Sequence, residues 1–81
     1  MDMYTACMNY IVARQLQVEV IDYSEKVNLD EYLLSNLEAS GKLIQSMILE
    51  YQTTPARRAQ LDKELDSAVL GWVETWNAIH S

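Results

Sequence analysis

One proline limits what this chain can become. Pro55 stands in QTTPARR, between two long stretches whose apolar residues recur at helical spacing. Its ring fixes φ and removes an N–H, so it suits the first turn of a helix and nothing deeper. The residue before a proline is pushed away from helical angles, so a helix arriving from the N-terminal side must end by about Thr53. Thr54 is placed to cap the next one. Two helices joined so briefly fold back on each other as an αα-hairpin. Two glycines and this single proline in 81 residues are also too few turn formers for an all-β fold.

The first arm is expected to be helical over 29–52. Asn28 is a suitable N-cap, and Glu31 follows at capping-box spacing, with Val27 and Tyr32 at the hydrophobic-staple positions. Asp30 and Glu31 place negative charge in the first turn, where it complements the helix dipole. Leu33, Leu34, Leu37, Ile44, Met47, Ile48 and Tyr51 keep the helical rhythm. Gly41 costs about 1 kcal/mol relative to alanine; it either admits a close neighbour or splits the segment, and continuity is the simpler reading. The second arm, 55–79, has the sharpest amphipathic pattern. Leu61, Leu65, Ala68, Val69, Trp72, Val73, Trp76 and Ile79 form one face, opposite Arg58, Asp62, Lys63, Glu64, Ser67, Glu74 and Asn77.

Residues 3–26 are apolar nearly all round when wound as a helix, while the stretch QLQVEVIDY alternates like a β-branched strand. A lone strand has no partner in a chain without a second strand-like stretch, so helix is the economical reading and pairing with a second copy the alternative. The expected fold is therefore all-α: a small three-helix bundle made of the hairpin 29–52/55–79 and an N-terminal helix 3–26, in a single domain spanning 1–81. A helix apolar on most sides must be buried on most sides. Its excess, added to the tryptophan stripe, predicts completion by oligomerisation or by another protein.

Six basic residues against twelve acidic ones give a net charge of −6. Polyanions are bound through neutralised phosphates, so direct binding to nucleic acid or to an anionic membrane is not expected. The acidity supports solubility or steers the chain towards a basic partner. Cys7 is the only cysteine, which excludes an internal disulfide and fits a cytoplasmic location. No basic-then-apolar leader and no apolar run of membrane-spanning length are legible, so a soluble intracellular protein without an export signal is expected.

Chemistry-bearing groups do not converge. His80, the only histidine, lies at the chain end with Trp76 one turn before it, and suits the negative end of a helix better than catalysis. The carboxylate pairs Asp30/Glu31 and Asp62/Asp66 read as solvated helix faces, and neither has the spacing of a calcium loop or a di-iron motif. Cys7 has no activating base nearby, and two isolated glycines build no phosphate loop. Arg57 and Arg58 open a helix at the end the dipole disfavours, a hint of ion pairs reaching another helix. No enzyme activity, cofactor or metal is expected.

Tyr4, Tyr10, Tyr23, Tyr32 and Tyr51 read as boundary core, and Met1, Met3, Met8 and Met47 mainly as filler. Trp72 and Trp76 share the face of Leu65, Val69 and Ile79 and belong first to a core. Tryptophan is also enriched in interface hot spots, and this stripe runs almost to the last residue. Leu65, Val69, Trp72, Trp76 and Ile79, with Tyr4, Met8 and Ile11, are therefore the expected partner-binding residues. The expected function is a non-catalytic protein-binding regulator or adaptor of the inhibitor, anti-activator, antitoxin or cochaperone type, with a homodimer one way of closing the fold. The alternatives are a self-associating structural subunit and an acidic nucleic-acid mimic.

Overall fold

The computed structural model describes residues 2–22 and 27–81. Three helices are present, α1 (Met3–Arg14), α2 (Glu31–Thr53) and α3 (Arg58–His80), with a 3₁₀ turn at Pro55–Arg57 between the last two. No strand occurs among the described residues. The all-α three-helix bundle expected from the sequence is the architecture found.

The α2–α3 hairpin forms where the proline predicts it. Thr54 has φ −131° and ψ 79°, off the helix as a pre-proline residue must be, and its N–H donates to the Glu50 carbonyl at 2.8 Å. Its side chain caps nothing. Its carbonyl instead accepts the Arg57 N–H at 3.0 Å, and Pro55 opens a 3₁₀ turn before the α-helical part begins at Arg58. Arg57 pairs with Glu50 across the turn and reaches Glu64 at 3.8 Å. Arg58 donates to the Tyr51 carbonyl at 2.9 Å and lies 5.2 Å from the Tyr51 ring centre. Both arginines thus hold the end of α2, which offsets their poor position on the dipole.

The start of α2 differs from the expected one. Asp30, not Asn28, is the N-cap, accepting from the backbone of Tyr32 at 2.8 Å and Leu33 at 3.2 Å. Asn28 acts one step earlier: its side chain accepts the Asp30 N–H at 3.1 Å, and its own N–H donates to the Ile79 carbonyl at 2.8 Å. That long-range bond ties the entry of α2 to the exit of α3. Once the cap moves to Asp30, Glu31 no longer stands at the capping-box position, and Val27 and Tyr32 are both exposed.

The larger correction concerns the N-terminal segment: a helix over 3–26 is not found. α1 starts at its Asp2 cap, whose carboxylate accepts the Thr5 N–H at 2.8 Å, and stops at Arg14. Gln15 turns left-handed with φ 55°. The Gln15 N–H donates to the Val12 carbonyl and the Leu16 N–H to that of Ile11, the paired closure of a Schellman motif. Beyond it the chain runs without helix, with Leu16, Val18 and Val20 half-buried against the core and Gln17, Glu19 and Ile21 exposed. The alternation legible in the sequence is real, but its partner is a helix. Asn77 on α3 donates to the Glu19 carbonyl and accepts the Ile21 N–H, both at 2.9 Å, and the Trp76 indole donates to the Ile21 carbonyl at 2.7 Å. The expected helical course over 23–26, with Tyr23, and the role of Met1 lie outside the described residues.

α3 is the central rod. The buried core comprises Cys7, Ile11, Ile44, Leu61, Leu65, Val69, Trp72, Val73, Trp76 and Ile79, so most of it belongs to this one helix. α2 covers one flank of α3, α1 and the 16–22 segment the other. Residues 3–22 present apolar side chains from two directions, which one straight helix could not do.

Gln15 carries a cost, because a non-glycine residue in the left-handed region is disfavoured by roughly 1–2 kcal/mol. Glycine avoids that strain while losing part of the gain to unfolded-state entropy. Gln15→Gly is expected to stabilise the protein by about 0.5–1 kcal/mol in chemical denaturation, whereas Gln15→Val is expected to destabilise it.

Candidate interaction surface

The expected partner-binding residues are mostly interior. Trp72 is 2 % exposed and Trp76 7 % exposed, and Leu65, Val69, Ile79 and Ile11 are buried with them. Tyr4 and Met8 are half-buried and pack against the same core. Trp76 stacks on Trp72 (ring centres 5.1 Å apart), meets Tyr4 at 4.9 Å and carries His80 on its other side at 3.9 Å. The His80 Nδ1 lies 2.9 Å from the Trp76 carbonyl, so the imidazole closes a terminal helix carbonyl while its ring covers the indole. The stripe reaches the end of α3 because Tyr4, His80 and residues 16–22 of the same chain cover it.

The reactive groups are likewise engaged in structure. Cys7 is buried, and that burial pushes its thiol up to about 11, away from nucleophilic character. Asp66, one of the carboxylates read as solvated, is instead the joint between α1 and α3. It accepts the Tyr10 hydroxyl at 2.6 Å and both Arg14 Nε and Nη2, at 3.1 and 3.0 Å. Arg14 first, then Tyr10, hold its carboxyl below the ordinary range. Burial, then the neighbouring Asp66, push the Tyr10 hydroxyl up. Sequence reasoning missed this clamp because its members lie more than fifty residues apart. Among the described residues no group of three or more His, Cys, Asp and Glu is placed to hold a metal ion. Nor is any helix among them long and apolar enough to cross a membrane.

Most of the large apolar side chains outside the core lie on and just before α2, while Val12 on α1 is 71 % exposed as well. Leu29 and Tyr32 are 74 % and 76 % exposed, Leu49 62 % and Leu43 51 %. Tyr32, Ala39 and Leu43 are seven and eleven positions apart, which puts them on one stripe of the helix. That stripe runs into a shallow depression where Leu43 and Met47 of α2 meet Ala68 of α3, walled by Lys63, Glu64 and Ser67.

A second concavity lies on the opposite flank of α2. It is a groove of about 450 Å³, lined by Met3, Tyr4, Leu34, Leu37, Gly41 and Trp72, with Asp2, Glu38, Lys42 and Gln45 as its polar lining. Glu38 and Lys42 pair at 3.2 Å. The Asp2 carboxyl is held low by the Thr5 N–H that it accepts.

No protein-family model matches the chain, and neither a curated protein nor a solved structure is similar enough to stand as its relative.

The Asp66 clamp sets an acid limit. Because its carboxyl is depressed in the folded state, its contribution is present at neutral pH and is lost as pH falls through that lowered value. Thermal unfolding between pH 7 and pH 2.5 is expected to show this loss below roughly pH 4, and Asp66→Asn to flatten it while lowering the neutral-pH midpoint. Tyr10→Phe, which removes one charge-assisted hydrogen bond, is expected to cost about 1–2 kcal/mol.

Proposed function

We propose that this protein is a non-catalytic regulator or adaptor that binds another protein through the exposed stripe of α2. One observation carries the reading: with the core closed around both tryptophans, Leu29, Tyr32, Leu43 and Leu49 remain more than half exposed. Single exposed leucines are ordinary on a protein surface. A tyrosine and a leucine aligned on one helical stripe, and continued by Met47 and Ala68 in a depression, are the kind of patch that partner proteins cover. The sequence suggested the apolar excess on α1 and α3; the stripe that supports this reading lies on α2.

The acidic balance favours a partner with basic residues around its apolar contact. The candidate catalytic groups support a non-catalytic role, since Cys7 is buried in the core, Asp66 is clamped between helices and His80 is stacked on Trp76. A reducing, cytoplasmic setting fits an unpaired buried thiol. A second copy of the chain is the alternative occupant of the stripe.

The test is affinity capture from the native cell with the wild-type chain and with Tyr32→Ser/Leu43→Ser, a pair of exposed substitutions expected to leave the circular dichroism and melting midpoint unchanged. The reading predicts a protein retained by the wild type and lost from the double variant. Recovery of no partner, or equal recovery by both, overturns it. Sedimentation equilibrium identifies the second copy: a dimer abolished by the same pair assigns the stripe to self-association.

A further inference from the structure

The groove between the start of α1 and the middle of α2 holds a hydrogen-bond donor, the Trp72 indole N–H, that meets no acceptor among the described residues. We propose that this groove takes one apolar side chain of a partner polypeptide together with an adjacent main-chain carbonyl. The carbonyl accepts the Trp72 indole N–H, and a lysine or arginine beside it meets Asp2. This rests on the protein-binding reading above and gives that reading a second, chemically defined contact.

The two tryptophans differ in one respect. The Trp76 N–H is taken by the Ile21 carbonyl. Trp72 is 2 % exposed, yet its N–H has no acceptor among the described residues. An indole buried to that degree normally finds a partner for its nitrogen. No buried side-chain nitrogen or oxygen among the described residues lacks a bond, so the Trp72 nitrogen still touches solvent. The groove that Trp72 lines is the opening on that side.

Gly41 points to the same place. A Cβ built there would lie 3.6 and 3.8 Å from Met3 and 3.9 Å from the Trp72 nitrogen, all ordinary contacts. Packing therefore does not demand glycine, and alanine is the better helix former. A methyl group at 41 would, however, stand 3.9 Å from the indole nitrogen, beside Met3, and narrow the room left for an acceptor there. The glycine keeps that approach clear at the expense of helix stability, a trade typical of binding sites.

The shape and charge select the occupant. The groove is open to solvent along one side, so a side chain can enter while its own backbone stays at the rim. Met3, Leu34 and Leu37 supply apolar walls, Lys42 is already paired with Glu38, and Asp2 adds a further carboxylate. The lining is therefore net acidic, which suits a basic flank on the partner.

The whole chain is titrated with two capped peptides, acetyl-Ala-Leu-Arg-amide and acetyl-Ala-Leu-Asp-amide, while the two indole N–H resonances are followed by NMR and assigned through Trp72→Phe. The basic peptide is expected to move the Trp72 resonance and leave that of Trp76 in place, with the acidic peptide several-fold weaker at low salt. Gly41→Ala is expected to melt at or above the wild-type temperature and yet bind roughly tenfold more weakly. Leu34→Lys, on the exposed rim, is expected to weaken binding of the basic peptide without touching the core. A Trp72 resonance unmoved at millimolar peptide overturns the proposal, as does wild-type affinity in Gly41→Ala. Equal binding of acetyl-leucine amide alone overturns it too, by showing a small-molecule pocket. If the groove fails while a captured partner still depends on Tyr32 and Leu43, the protein-binding reading stands without it.

Discussion

The Trp76 indole reaches the Ile21 carbonyl at 2.7 Å while its ring lies among Tyr4, Trp72 and His80, and much of the fold is arranged to cover that ring. Burying a tryptophan removes ~150–250 Å² from water, worth roughly 4–6 kcal/mol at about 25 cal/mol per Å². Two such rings on one face of α3 are a large share of what holds a domain this small together. α2 can cover only one flank of that helix. The remaining flank is closed by α1, by residues 16–22 and by His80 folding back over its own helix.

Closure of the second flank explains why α1 is short. A continuous helix would have sent much of its apolar surface to solvent. By turning at Gln15, the chain brings Ile11 and Cys7 against α3 from one direction and Leu16, Val18 and Val20 from another. The backbone polar groups freed by leaving the helix are met in part by Asn77 and Trp76. The Tyr10–Asp66–Arg14 clamp then fixes α1 to α3 with charge-assisted bonds at its outer edge. The same core leaves the Trp72 nitrogen facing a groove and the α2 stripe facing solvent, so both candidate contacts are by-products of how α3 was enclosed.

The hairpin is legible in outline, because proline chemistry and helical periodicity act over a few residues. Pro55, the off-helix Thr54 and the face from Leu61 to Ile79 needed no tertiary information. Asn28 and Asp30 are both good caps by residue type, so spacing alone does not fix the start of α2; in the fold Asp30 caps while Asn28 bonds to Ile79 on another helix. The candidate site was less legible. The tryptophans read as large apolar anchors from the sequence, but spacing does not tell whether another chain or this one covers them. The signal that came closest was the alternation in QLQVEV, which marked a half-buried extended stretch and was outweighed by the lack of a second strand. Gly41 stands out in the sequence only as an interruption of the helical rhythm, and the geometry around Trp72 makes it informative.

The sequence by itself determined the class of fold, the two long helices, the turn between them and the apolar face of the second, since each depends on local backbone preference or on the period of apolar residues along one element. Tertiary structure alone decided where α1 ends, which carboxylate is a joint, and which apolar residues stay outside. Those outcomes depend on which distant groups satisfy freed backbone donors and cover a given ring. A one-dimensional pattern specifies that a face must be buried, and only three-dimensional packing specifies what buries it.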